Sequence, residues 1–259
     1  MRGNDFLIAA FLAIKLGVTA PAEQIAVKHI QVPKHGSMVA RSEAGKIIAR
    51  FEFLQSVQGD EVTMHLTYHF VDGSIDDETT TYTQQGTFRL VRNHHIQTGP
   101  FFAKQVDFTV DANTGIATSR TVDKNGKIHV ASQHMALPDD LANGFFGTLL
   151  LNVPRNTAPF RVGMVVPVVG ARLIGLLISP AGEQPFVMAG QNLKATVFRI
   201  HPEIGGIVGV IAQLIGLQPK DVMVWVLEGE KPAVVRIVGQ LGGYGPVVSS
   251  ELDGTSFAK

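Results

Sequence analysis

The feature that most constrains this chain is an uncharged, strongly apolar stretch at residues 204–217. At the 3.6-residue period of a helix, its aliphatic side chains fall on one stripe, and glycine and alanine fill most of the opposite side. The stripe consists of Ile204, Ile207, Val208, Ile211, Leu214 and Ile215. Burying such side chains is worth roughly 1.5–3 kcal/mol each, so the stretch must cover a core, a lipid or a partner.

A short helix is the predicted conformation of this stretch. Gly216 suits a helix C-terminal cap, and Pro219 blocks continuation, so we place the helix at residues 204–215. Three roles remain open for it. It either completes the core, closes over a pocket for an apolar ligand, or contacts a membrane surface or a protein partner.

The N-terminus has the pattern of a secretory signal. Arg2 precedes an apolar run at residues 6–14, and residues 20–22 form an A-x-A cleavage site. We therefore predict that residues 1–22 are removed and that residues 23–259 form a single β-rich domain. The alternative is an ordinary N-terminal helix of a cytosolic protein. A transmembrane segment, which needs about 20 apolar residues, is not predicted in the mature chain.

Charge and cysteine content narrow the possible partners and locations. The chain has 22 Lys and Arg residues against 22 Asp and Glu residues, without a long block of either sign. Because phosphate binding needs a basic face, no nucleic-acid partner is predicted. The chain has no cysteine, which excludes disulfides and thiolate metal sites. Together with the signal pattern, this favours a periplasmic or secreted protein of a bacterial envelope.

Alternation of polar and apolar residues predicts an antiparallel sheet through most of the chain. The clearest case is residues 62–70, where five apolar side chains share one face and Thr and His residues occupy the other. Residues 222–227 are apolar on both faces, which predicts a central strand covered on both sides. A second helix is predicted at residues 139–152 from its capping residues and helical spacing. The predicted fold is α+β: a strongly curved antiparallel sheet, or half-barrel, covered by two short helices.

Motifs for catalysis or metal binding are not recognisable in the sequence. His65 and His69 lie on a predicted strand, where four residues span roughly 13 Å, so one metal ion could not join them. The acidic run at residues 76–78 is interpreted as a solvated hairpin end. Nucleophile-elbow, Walker and H-E-x-x-H motifs are missing. We therefore predict no cofactor and no metal site, and we do not expect an enzyme, although a hydrolase remains an alternative.

Several segments resemble a family of exported bacterial proteins without an assigned function. They are the run of residues 77–80, the segment 137–144, and the closing pieces 224–226, 232–236 and 245–246. The closing strands also resemble, at the level of fold, periplasmic domains that share the half-barrel of the lipoprotein carriers LolA and LolB. This resemblance implies a concave sheet whose covering helices leave space for acyl chains. It implies no role for any particular residue, because fold does not determine function.

These observations predict an envelope protein that binds a lipid or another apolar molecule inside a half-barrel. The predicted ligand-binding wall consists of Leu141, Phe145, Leu149, Ile207, Ile211, Leu214 and Trp225. The alternative is a structural or interaction protein without a pocket, in which the apolar helix completes the core and a partner docks on the His/Thr face.

Overall fold

The structure is a computed structural model that describes residues 24–123, 125–167, 170–204, 219–241 and 245–257. Strands make up 63% of these residues and helix 2%. The fold is therefore nearly all β, and the predicted α+β class with two covering helices is wrong.

Fifteen strands and one short helix account for the regular structure of the described residues. The strands are Lys34–Ser42 (β1), Ile47–Gln58 (β2), Glu61–Phe70 (β3), Ile75–Gln85 (β4), Thr87–Thr98 (β5), Gln105–Asp111 (β6), Ile116–Val122 (β7), Ile128–His134 (β8), Phe160–Val166 (β9), Arg172–Met188 (β10), Gln191–Glu203 (β11), Val222–Leu227 (β12), Ala233–Gln240 (β13), Val247–Leu252 (β14) and Thr255–Phe257 (β15). The helix is Phe146–Leu150 (α1).

All of these strands belong to one antiparallel sheet. Its order is β15-β10-β11-β12-β13-β14-β1-β2-β3-β4-β5-β6-β7-β8, and β9 pairs with β10 beside this path. Strand β14 pairs with β1, so the end of the chain joins the beginning of the meander.

The sheet wraps around its own inner face. The largest core cluster contains Val62 of β3 and Phe108 of β6, and also Phe198 of β11 and Val224 of β12, which lie far apart in the strand order. Side chains from distant strands can meet only if the sheet bends back on itself. Among the described residues, no hydrogen-bonded ladder closes the sheet, although the Gln133 side chain of β8 donates to the carbonyl oxygen of Ala171 at 2.7 Å.

The helix predicted at residues 139–152 is much shorter than expected. Residues before α1 run along the edge of β9, where Leu141 forms a parallel bridge with Gly163. The Asn143 side chain bonds both the N–H and the carbonyl group of Val165, at 2.9 and 2.8 Å. Pairing with a sheet edge therefore replaces the first turns of the expected helix. Of the other predicted helix, residues 204–215, all but Ile204 lie outside the described residues.

Two strand predictions are confirmed. Val62, Met64 and Phe70 of β3 are buried, while His65 and His69 are exposed on the opposite face. Strand β12 is covered on both faces: Val224 and Val226 belong to the main core cluster, and Trp225 between them belongs to a separate one.

Candidate functional site

The inner face of strands β1 to β5 is organised in rows that the strand register defines. One row joins Gly36, Phe53, Leu66, Glu78 and His95, because each residue pairs directly with the next across neighbouring strands. Paired residues of adjacent strands lie on the same face of a sheet. The row therefore crosses five strands on the side that faces the core.

This row differs from the two rows beside it in its exposure. All five of its residues are half-buried. In one flanking row Gln55, Met64, Thr80 and Asn93 are buried and Lys34 is half-buried. In the other, Met38, Phe51, Asp76 and Gln97 are buried and Tyr68 is half-buried. We call these five half-buried residues, which lie between two largely buried rows, the inner trough.

The β1 end of the inner trough is shaped by a glycine. A Cβ atom on Gly36 would lie 2.3 Å from Cε1 of Phe53, so the Phe53 ring occupies the space that any other residue at position 36 would need. The ammonium group of Lys34 lies 6.0 Å from the centroid of the same ring. Residues 34–37 pair with β2 but not with β14, whose pairing with β1 begins at Met38.

The other end of the inner trough is polar. Asp76 accepts hydrogen bonds from His95 Nε2 and from Gln97 Nε2, both at 2.8 Å. Glu78 Oε1 accepts one from Asn93 Nδ2 at 2.8 Å, and the same nitrogen donates to Thr80 Oγ1 at 2.9 Å. Every polar group in this network has a partner, as buried polar groups require.

Two pKa values in this network are shifted in ways that its geometry explains. Burial raises the pKa of Glu78, and the lowering effects of the nearby His95 and of the Asn93 hydrogen bond do not compensate for it. Burial by itself would lower the pKa of His95, but the hydrogen bond to Asp76 and the surrounding carboxylates raise it to about 9. The imidazole is therefore a cation at neutral pH.

Aromatic rings continue from the inner trough along the inner face of β2 and β3. Phe51 stacks on Tyr68 with 4.4 Å between centroids, and the Phe53 and Phe70 rings lie 6.4 and 6.2 Å from Phe51 and Tyr68 respectively. The Tyr68 hydroxyl reaches Ser250 Oγ of β14 at 3.1 Å. The wall beside the trough is thus apolar and has one hydroxyl pair at its margin.

The predicted wall residues do not all come together. Leu141, Phe145 and Leu149 lie in the main core cluster, where Phe145 is 1% exposed and stacks on Tyr82 at 4.6 Å. Trp225 lies on the outer face, with Nε1 2.6 Å from Gln184 Oε1 and the Arg236 guanidinium 4.7 Å from its ring. The remaining three, Ile207, Ile211 and Leu214, are outside the described residues.

Sequence reasoning missed the inward direction of Asp76 and Glu78. The interpretation of residues 76–78 as a solvated hairpin end holds for Asp77, which bonds His65 on the outer face at 2.7 Å, but not for its two neighbours. The register of the β3–β4 hairpin indicates the inward direction of both carboxylates. Once the turn at residues 71–74 is accepted, Asp76 pairs with Tyr68 and Glu78 with Leu66, both on the apolar face of β3.

The outer face of the same strands carries a groove of about 400 Å³, and Phe53 of the inner trough also contributes to its lining. Its lining includes His35, Glu52, Leu54, His65 and Asp77. In the part of the chain that the structure describes, no group of three or more His, Asp or Glu residues is arranged to hold a metal ion. In the same part, no helix has the length and apolar character needed to cross a membrane.

Comparisons with known proteins leave the family open. No protein family matches the sequence, and no curated protein matches it. A solved structure similar to this chain is a beta-barrel-like protein of the domain of unknown function DUF1849 from Brucella abortus. It is 9% identical, with 88% of this chain and 98% of that chain covered and a TM-score of 0.45. At that score the likeness carries no argument about function, and the similarity to LolA and LolB stays a prediction.

Proposed function

We propose that this protein binds an apolar or amphipathic small molecule in the inner trough, between the Phe53 ring and the Glu78–His95 pair. The observation that carries the proposal is the row of five half-buried inward residues between two largely buried rows. Ligand sites combine an apolar lining with a few fixed polar groups, and this row has both. Phe53 and Leu66 supply the apolar floor, and Glu78 and His95 supply the polar end.

The site differs from the wall that the sequence predicted. The interior around Phe145 and Leu149 is filled by core side chains, so it offers no space for an acyl chain there. The predicted contribution of Ile207, Ile211 and Leu214 to a wall or lid remains part of the proposal. We also propose that the protein acts in the bacterial envelope, as the signal pattern at residues 1–22 and the lack of cysteine favour.

The proposal can be tested by filling the inner trough with a larger side chain. Replacing Leu66 by Trp places a larger ring among the half-buried residues of the row, so it should compete with any ligand for the same space. The matched control is Leu54→Trp, because Leu54 lies on the outer face of the adjacent strand and is 56% exposed. Binding is measured by the fluorescence of a neutral apolar probe, N-phenyl-1-naphthylamine, and by mass spectrometry of lipids extracted from purified protein.

We expect the wild-type chain and Leu54→Trp to bind the probe equally, and Leu66→Trp to lose about tenfold in affinity. Thermal unfolding of each variant separates lost binding from lost folding. If the folded wild-type chain neither binds the probe nor carries an extracted apolar molecule, the proposal is wrong. The alternative of a structural or interaction protein would then stand.

A further inference from the structure

Lys34 lies at the β1 end of the inner trough and points into the interior. It pairs across the sheet with Gln55, which is 1% exposed and lies on the same inner face as Phe53. Its outward neighbour His35 pairs instead with the exposed Leu54. A lysine directed toward the core is unusual, because burying an ammonium group is costly unless it is paired.

No anion among the described residues neutralises this lysine. Its Nζ donates to Gln31 Oε1 at 3.0 Å and lies 6.0 Å from the Phe53 centroid. Within those residues its ammonium has no carboxylate at ion-pair distance, in contrast to Arg161, which pairs with Glu203 at 2.7 Å. Burial also lowers the pKa of Lys34, so the surroundings disfavour its charged form.

The inward carboxylates that could have served as counter-ions are engaged elsewhere. Asp76 is bonded by His95 and Gln97, and Glu78 by Asn93. Both lie on β4, three strands away from β1 in the sheet order. An apolar floor, Phe53 and Leu66, separates the lysine from them along the trough.

We propose that the ligand is a single-chain amphiphile with an anionic head, whose head pairs with Lys34 and whose chain lies across Phe53 and Leu66. This inference rests on the proposed function and adds the chemical class of the ligand. Four strand spacings separate β1 from β5, so the trough is roughly 19 Å long, enough for an extended acyl chain. A carboxylate or a phosphate head would provide the charge that the ammonium lacks.

Three probes with the same chain and different heads test the head group. They are dodecanoate, dodecyl phosphate and dodecanol, titrated by calorimetry into the purified chain. We expect both anions to bind at least tenfold more tightly than the alcohol, because a charge-assisted hydrogen bond in a desolvated site is worth about 1.5–3 kcal/mol. A preference for one anion over the other identifies the head as carboxylate or phosphate.

Lys34→Met keeps the length of the side chain and removes the charge. It should reduce the affinity for both anions about tenfold and leave that for dodecanol unchanged, whereas Lys34→Arg should keep anion binding. The control Lys46→Met removes a charge from the exposed turn between β1 and β2 and should change nothing. Anion affinity should also fall as pH rises through the lowered pKa of Lys34.

The outcomes separate this inference from the proposed function. If the wild-type chain binds all three probes equally and Lys34→Met changes none of them, the trough binds apolar molecules but the anionic head is wrong. If no probe binds, the proposed function fails and this inference fails with it. Anion binding that Lys46→Met weakens as much as Lys34→Met would also overturn it, because general surface charge would then explain the effect.

Discussion

Two regions of the protein interior differ in how completely their side chains are buried. Around α1, Phe145, Tyr82 and Leu150 are each at most 1% exposed. Four residues along β4 from Tyr82, the inner face carries Glu78, which is half-buried and bonded to Asn93. We call the first region the filled end and compare it with the inner trough.

The filled end and the inner trough contribute differently to the stability of the fold. Close-packed apolar side chains stabilise the fold, and the filled end holds the wrapped sheet together. The apolar side chains of the inner trough are only half-buried, so they stabilise the fold less than closely packed ones do. An inward row that apolar side chains do not fill is typical of sites where function sets the sequence. The predictions below test this contrast, from the largest expected effect to the smallest.

Truncating one phenylalanine in each region should give unequal losses of stability. Phe145→Ala leaves a cavity in the filled end and should lower the free energy of unfolding by about 3–5 kcal/mol. Phe53→Ala, in the inner trough, removes a half-buried ring and should cost about 1 kcal/mol. Urea unfolding with linear extrapolation measures both. Equal losses would mean that the trough is packed like the filled end, and the contrast would be wrong.

The polar end of the inner trough should make stability depend on pH. The pKa of His95 is raised to about 9 in the folded state. The charged imidazole therefore contributes fully to the free energy of unfolding below the unfolded-state pKa near 6.5, and this contribution is lost as pH rises through 9. His95→Gln should remove this dependence and cost about 2 kcal/mol at pH 6.

His94→Gln is the control, since His94 lies on the outer face and bonds Asp107 at 2.9 Å. Unfolding in urea at pH 6, 7.5 and 9.5 compares the two variants. If the pH dependence of the free energy of unfolding persists in His95→Gln but disappears in His94→Gln, then His94 and not His95 causes it.

A small gain in stability is expected where the chain enters the filled end. Asp140 is 8% exposed, and its Oδ1 has no hydrogen-bond partner. Burial raises the pKa of this carboxyl, so the charged form destabilises the fold at neutral pH. Asp140→Asn should therefore raise the free energy of unfolding at pH 7 by about 0.5–1 kcal/mol.

This gain should shrink as pH falls and Asp140 itself becomes protonated. The exposed neighbour Asp139, which pairs with Arg89 at 2.9 Å, provides the control, and Asp139→Asn should change stability by less than about 0.5 kcal/mol. A loss of stability in Asp140→Asn would show that the carboxylate has a favourable role at this position.

Much of the sheet could be predicted because strand patterns are local. The alternation at residues 62–70 assigned each side chain of β3 to its face, and the apolar run at 222–227 correctly indicated a strand covered on both sides. The helix at residues 139–152 failed because Asn143 and Leu141 pair with β9, a strand that comes later in the chain. Helical spacing contains no information about such an edge.

The candidate site was predictable only in part, for a related reason. Phe145 and Leu149, which were predicted to line a ligand wall, lie in the main core cluster. Whether an inward residue lines a filled core or an open trough depends on what packs opposite it. The separation of Trp225 from Leu141 follows from the alternation along β12, which places Trp225 on the outer face. Because residues 222–227 are apolar on both faces, the sequence did not show which of the two faces is the inner one.

By itself, the sequence determined many of the antiparallel strands and turns and the face on which each side chain of β3 lies. These properties depend on residues one or two positions apart, which the period of a strand relates directly. Only the tertiary structure decided that β14 pairs with β1, that Trp225 lies on the outer face, and that a sheet edge replaces a helix. Those outcomes depend on contacts between residues distant in the chain, where register and wrapping determine which inward side chains are covered and which remain open.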